Sequence, residues 1–293
     1  MNQGINEMRQ HFVFQTADPA CIRHAGRDRE RLSQQHPTSG SQRKAEAEQQ
    51  RYLHVLAKAG GSNGKKLAEK LQTCRNDSPC GSAACAHCLR ERYLGHLDVL
   101  LPMMSASRRY SCVELVFNED AAVHHPGLDK PQYSAQIERY KQRISRTMSR
   151  LGFSGPAIGT FSLLRHRFNG AEESTFWLPR LRLLLPDNRN LLDGIGAHMT
   201  RGVMDSVGTG RIIPVRKMPA GSKARTLGLV LDPREYVIAC RKEESQGMLK
   251  TCNLELLKGG TLARSLVMMD SMGFSMLTFK YGMLHLKSSV VPG

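Results

Sequence analysis

Cys74, Cys80, Cys85 and Cys88 are the residues whose type and spacing best suit chemistry. They fall within fifteen residues as C-x5-C-x4-C-x2-C. Thiolates are soft ligands, and four of them match the closed tetrahedral site of a structural Zn²⁺. Pro79, Gly81 and Ser82 supply the bends that such a loop needs. His87 lies between the last two cysteines and is an alternative to one of them as ligand. The competing reading is four free thiols in a loop. A closed site leaves no position for water, so its expected role is structural. Arg75, Arg90 and Arg92 flank the cluster, which suits a module held against phosphates.

A second chemical feature is the run Phe176-Trp-Leu-Pro-Arg-Leu-Arg-Leu-Leu-Leu185. Side chains alternate between the two faces of a strand. Trp177, Leu181, Leu183 and Leu185 then share one face, which helices can cover. Arg180 and Arg182 share the other. Two neighbouring guanidinium groups on an open sheet face would make an anion site; the alternative is that both point to solvent.

The charge balance sets the class of partner. Lys plus Arg number 42 against 26 Asp plus Glu, a formal net charge of +16, and the isoelectric point is near 9.8. Such a chain favours a polyanion, nucleic acid first and an anionic membrane surface second; the alternative is a basic protein with neither. Hydrophobic residues make up 40% of the 293 positions, which excludes wholesale disorder and allows one large domain or two modest ones. No apolar run reaches the roughly 18 residues of a membrane span. The first residues, MNQGINEMRQHFVFQTADPA, lack the apolar core of a signal peptide. The eight cysteines are therefore expected in a reducing cytoplasm, where a cluster reads as metal binding before disulfides.

The elements that must position these groups follow from periodicity and punctuation. Residues 1–73 are polar and rich in Arg, Gln and Glu, and read as a basic, partly disordered N-terminal arm or a helical hairpin broken by Gly60, Gly61 and Gly64. Lys65 and Lys66 are candidates for a phosphate contact or for a solvated charge run. Residues 74–102 form the Cys-rich zinc module, with a helix from Leu89 that Pro102 is expected to end. Residues 103–293 form the main domain. Tyr110–Phe117 alternates like a strand. Residues 132–151 carry Ile137, Tyr140, Ile144, Met148 and Leu151 at helical steps, with Arg139, Arg143, Arg146 and Arg150 around the remainder. Ala157–His166 and Thr175–Leu185 read as strands joined across Asn169-Gly170, a hairpin signal. Leu191–Val207 reads as helix, Arg211–Lys217 and Arg225–Val230 as strands. Tyr236–Lys242 opens a further segment of either type. Thr261 is the expected cap of a helix that Gly273 ends, and Phe274–Leu286 the closing strand. The fold class is α+β, an antiparallel sheet with helices on one face.

The order of these features resembles the rolling-circle replication initiators and related transposases, the HUH-type endonucleases that cut single-stranded DNA with a tyrosine. The likeness spans residues 74–286. It is carried by Cys80-Gly-Ser-Ala-Ala-Cys85-Ala-His-Cys88-Leu-Arg-Glu-Arg92, by the strand Cys112-Val-Glu-Leu-Val-Phe117, by Trp177-Leu-Pro-Arg-Leu-Arg-Leu-Leu-Leu185, and by Tyr236-Val-Ile-Ala-Cys-Arg-Lys242. The resemblance implies a five-stranded palm-like sheet, with Tyr236 as the nucleophile that leaves a 5′-phosphotyrosine. It also implies paired histidines holding Mg²⁺ or Mn²⁺ where this chain has Arg180 and Arg182. Arginine has no lone pair for a metal and stays protonated. His124, His125 and His166 are the substitutes to consider. Tyr236 is followed at the family's lysine spacing by Ala239, with Arg241 and Lys242 just beyond, so a packing role for this tyrosine competes with a catalytic one.

The resulting expectation is a DNA-binding, replication-initiator-like protein of a plasmid, phage or mobile element, with structural Zn²⁺ and a degenerate nicking site. Single-stranded or origin DNA is the expected partner, and no membrane. Arg180, Arg182, Arg139, Arg143, Arg146 and Lys242 are the expected DNA contacts. The alternatives are an active Mg²⁺- or Mn²⁺-dependent nickase using Tyr236, a zinc-dependent regulator that binds DNA without cutting it, and a structural RNA-binding protein. Aromatics at 6% leave few stacking groups for the last.

Overall fold

A computed structural model describes residues 42–75, 77–105, 110–117, 130–168, 175–200, 215–217, 223–233, 237–243 and 249–282. Helix α1 (Gln42–Ala59) is followed at once by α2 (Gly61–Gln72). The corner between them is tight. A Cβ at Gly60 would stand 2.5 Å from the Leu56 carbonyl oxygen and 2.6 Å from the Gly64 Cα, closer than real Cβ contacts allow, and Gly61 adopts φ 58°. Ala45, Tyr52 and Leu56 of α1 and Leu67 and Leu71 of α2 are buried in the main core.

Helix α3 (Ala86–Ser105) starts before Leu89 and runs through Pro102, which corrects the expected stop. An internal proline forfeits one backbone bond and crowds the preceding turn. Burial of Leu94 and Leu100 against the sheet outweighs that local penalty.

The strands are β1 (Tyr110–Val116), β2 (Ala157–Phe168), β3 (Thr175–Pro186), β4 (Val215–Lys217), β5 (Val237–Glu243), β6 (Leu249–Leu256) and β7 (Thr278–Tyr281). They form one sheet in the order β4-β1-β3-β2-β5-β6. Neighbours among the first four are antiparallel. The outer edge of β2 carries two partners. β5 runs parallel to its Arg165–Phe168 end, and β7 runs antiparallel to its Ala157–Thr160 end. Helix α4 (Lys130–Arg150) lies in sequence between β1 and β2, and α5 (Arg189–Thr200) between β3 and β4. The succession β1-α4-β2-β3-α5-β4 in the spatial order β4-β1-β3-β2 is a split β-α-β arrangement.

Both crossover helices lie on the same face. Ile137, Tyr140, Ile144 and Met148 of α4 and Leu191, Ile195 and Met199 of α5 pack with Leu181, Leu183 and Leu185 of β3 and Val113, Leu115 and Phe117. Phe117 stacks on Tyr140 with ring centroids 4.0 Å apart. Trp177 lies on this face too, as strand alternation requires.

The opposite face is covered as well, which corrects the expectation of helices on one side only. A second core joins Cys112, Ile158 and Leu184 to Tyr93, Leu94 and Leu100 of α3 and to Leu227, Val230 and Leu231. The last three belong to helix α6 (Lys223–Leu231), which corrects the strand expected over Arg225–Val230. Spacing of three and four places these side chains on one helical face, and burial against the sheet decides the conformation. Helix α7 (Gly259–Leu277) is kinked at Gly273, which takes φ 70° and ψ 172°. The chain resumes as helix to Leu277, so the expected strand from Phe274 is confined to Thr278–Tyr281 among the described residues. Thr261 is not the cap; that position is Lys258, while the Thr261 hydroxyl accepts from Arg165 Nη1 at 3.1 Å. Among the described residues, no helix is long and apolar enough to cross a membrane.

Candidate metal centre

The loop from the end of α2 into the first turn of α3 brings four sulfurs together. Cys74 and Cys88 lie 3.6 Å apart, Cys80 and Cys88 3.6 Å, and Cys74 and Cys85 3.5 Å. All four Sγ atoms lie within 4.8 Å of one another. A tetrahedron with metal–sulfur bonds of about 2.3 Å has sulfur–sulfur edges of about 3.8 Å, so the donor set fits a metal ion such as zinc. A disulfide would need about 2.05 Å, and the four thiols are free. His87 does not belong to the group.

The local backbone is arranged around the sulfurs. Gly81 takes φ 68° and turns the chain between the second and third ligands. The Ala84 amide donates to Ser82 Oγ at 3.1 Å, fixing the next bend. The Cys80 amide donates to Cys74 Sγ and the Cys88 amide to Cys85 Sγ, both at 3.5 Å. Cys88 lies in the first turn of α3, where the helix dipole favours a thiolate. Cys74, Cys85 and Cys88 are buried. The sulfurs compete for protons. Hydrogen bonds from Cys85 and then Cys88 hold the Cys80 thiol far below its usual range, and the bond to Cys80 pushes Cys85 up. A divalent cation would replace those protons and let all four ionise.

One residue that the sequence reading missed ties this centre to the helix pair. Gln49 of α1 is 3% exposed. Its Nε2 donates to the Leu71 carbonyl at 2.9 Å, at the end of α2, and its Oε1 accepts from the Ala86 amide at 3.0 Å, at the start of α3. A lone glutamine on an amphipathic helix carries no signal of this; only its position among Ala45, Tyr52 and Leu56 hints at a core-facing site. Gln49→Leu is expected to lower stability by about 1–3 kcal/mol, since it strands a buried carbonyl and a buried amide. Urea denaturation of the folded protein measures this.

Arg180 and Arg182 do share a face of β3, as the alternation predicts, but that face is not open. Arg180 is 5% exposed. Its Nη1 donates to Glu114 Oε2 at 2.9 Å and its Nε to Ser162 Oγ at 3.3 Å. Arg182 Nε lies 3.8 Å from the same carboxylate oxygen, and its Nη1 donates to the Leu229 carbonyl of α6 at 3.4 Å. The register explains the meeting: Glu114 faces Arg182 across β1 and β3, and Thr160 and Ser162 of β2 face Arg182 and Arg180. Instead of a solvent-facing anion site, the structure has an Arg–Glu–Arg cluster under α6.

The other candidates are dispersed. Arg139 and Arg146 are exposed on α4, with Arg139 5.5 Å from the Tyr140 ring centroid. Arg143 is half-buried and binds α5, its Nε 3.1 Å from His198 Nε2 and its Nη2 3.1 Å from the His198 carbonyl. Lys65 and Lys66 are exposed on α2. Lys242 lies on β5 opposite Lys250, and His166 on β2 opposite Phe176. Tyr236, His124 and His125 lie outside the described residues, as does the Asn169-Gly170 connection. No protein-family model matches this sequence, and neither a curated protein nor a solved structure matches it.

Proposed function

We propose that the chain is a cytoplasmic DNA-binding protein of replication-initiator type, held together by one structural Zn²⁺ and lacking nicking activity. The observation that carries this reading is the Arg180–Glu114–Arg182 cluster in the middle of the sheet. It stands where the resemblance implies histidines and a catalytic Mg²⁺ or Mn²⁺. Its two guanidinium groups offer no lone pair, and both already engage the Glu114 carboxylate. Further support comes from the split β-α-β order, which suits a palm-like sheet, and from the net charge of +16. Exposed Arg139 and Arg146 supply phosphate contacts; Arg143 acts behind them by fixing α4 on α5. Free cysteines beside one another suit a reducing compartment.

Titration with single-stranded DNA at several salt concentrations tests the binding. Affinity is expected to fall steeply as salt rises, because each neutralised phosphate releases about 0.9 of a counterion on duplex DNA and somewhat less on a single strand. A flat dependence, or no binding at low salt, removes the reading. A supercoiled-plasmid assay with Mg²⁺ or Mn²⁺ tests the absence of nicking. Cleavage by the wild type that is lost in Tyr236→Phe would instead establish an active nickase.

A further inference from the structure

A concave feature outside the metal centre begins one helical turn after Cys88. A cleft of about 630 Å³ opens between α3, α4, the kinked end of α7 and β7, a volume typical of small-ligand pockets. Cations from three elements line it: Arg92 of α3, Lys141 of α4 and Lys280 of β7. Each of the first two is held by the chain just past the α7 kink. Arg92 Nη2 donates to Thr278 Oγ1 at 2.5 Å, and its guanidinium carbon lies 4.6 Å from the Phe274 ring centroid. Lys141 Nζ donates to the Ser275 carbonyl at 3.2 Å and to Glu138 Oε1 at 2.8 Å. The left-handed Gly273 therefore sets where these partners lie.

The charges in the cleft are not balanced. Among the described residues, Glu138 is the carboxylate that meets these cations, and it is itself half exposed. Arg92 is largely buried, which disfavours its charge. His96, one turn further along α3, is pushed down to about 4, first by burial and then by the positive charges of Arg92 and Lys280. Both fields thus reach the same point. Gathering cations in a concave, partly desolvated space is unfavourable until an anion enters it. Ser145 and Thr278 add hydroxyls, and Phe274 adds an apolar wall with an aromatic ring.

We propose that this cleft binds the phosphate of a nucleotide, with Arg92, Lys141 and Lys280 around the phosphoryl oxygens and Phe274 beside the base or sugar. The chemistry is shared by a free mononucleotide and by one unit of a DNA strand. It does not depend on the DNA-binding reading, since the first source is sufficient.

Calorimetric titration of the full chain with deoxyadenosine monophosphate, deoxyadenosine and a short oligodeoxyadenylate bearing a 5′-hydroxyl end separates the sources. The variants are Lys280→Gln and Lys141→Gln, with Lys58→Gln on the exposed face of α1 as control and Arg146→Gln as the marker of the strand contact proposed for α4. Lys280 is exposed, so its replacement leaves folding intact. Each cleft variant is expected to weaken phosphate-bearing probes about tenfold, the loss of one charge-assisted bond, while deoxyadenosine fails to bind. Sensitivity with the mononucleotide assigns the site to free nucleotides; sensitivity with the strand alone assigns it to a strand phosphate. The proposal is overturned if neither probe binds at low salt, or if both cleft variants stay within about twofold of wild type. A strand weakened only by Arg146→Gln would sink the cleft and leave DNA binding standing. A mononucleotide that binds where the strand does not would do the reverse.

Discussion

Cys85→Ser is expected to abolish metal retention and loosen the N-terminal third of the described fold. Protein purified without chelator should carry about one Zn²⁺ per chain, and the variant close to none. Binding of a structural Zn²⁺ contributes about 10–16 kcal/mol in isolated finger peptides, because the ligands have no other reason to converge. Here part of the convergence is supplied by the core, as Ala83, Ala84 and Cys85 pack with Tyr52, Leu56 and Leu71. A smaller loss is therefore expected, above about 4 kcal/mol, which would lower the melting temperature by about 10 °C or more in a domain of this size. Acidification acts in the same direction: the ligands bind as thiolates, so affinity falls as pH falls and protons return to sulfur. Elemental analysis and thermal melts with and without EDTA provide the measurements. No bound metal in the wild type, with an unchanged melt in Cys85→Ser, would mean four free thiols.

The second large effect is expected at Glu114. Glu114→Gln removes a carboxylate that Arg180 and Arg182 share beneath α6. Breaking a buried ion pair by removing one partner costs about 3–5 kcal/mol, because the remaining buried charge loses that compensation. The combined variant Glu114→Leu, Arg180→Met, Arg182→Met should recover most of that loss, since it removes these three charges together and keeps their volume. Urea denaturation of the two variants decides the matter. If Glu114→Gln unfolds at the wild-type midpoint, the cluster contributes no stability. If the apolar triple variant is as unstable as the single one, packing rather than charge is what the cluster supplies.

Much of this architecture is legible in the amino-acid order, wherever one local rule is strong. The steps from Ile137 to Met148 specify α4, because a stripe at three and four residues can be buried only as a helix. The alternation from Trp177 to Leu185 specifies both the strand and the faces of its side chains, so the shared face of Arg180 and Arg182 needed no structure. The cysteine spacing sufficed to propose a metal ligand set, since four closely spaced thiols match a tetrahedral site.

Tertiary structure decided what local rules leave open. Arg225–Val230 reads as a strand in isolation; the second face of the sheet, which Leu227, Val230 and Leu231 cover, makes it a helix. Pro102 and Gly273 read as stops, yet α3 passes the one and α7 resumes beyond the other, because burial on either side outweighs one missing bond or one left-handed residue. Gln49 has no signature, since its two partners lie 22 and 37 positions away. The sequence determined that two arginines would stand side by side. Whether they would face water, a metal or a carboxylate depended on the register of β1, which places Glu114 between them, and on α6, which closes over them. Those are long-range contacts, and no pattern within β3 encodes them.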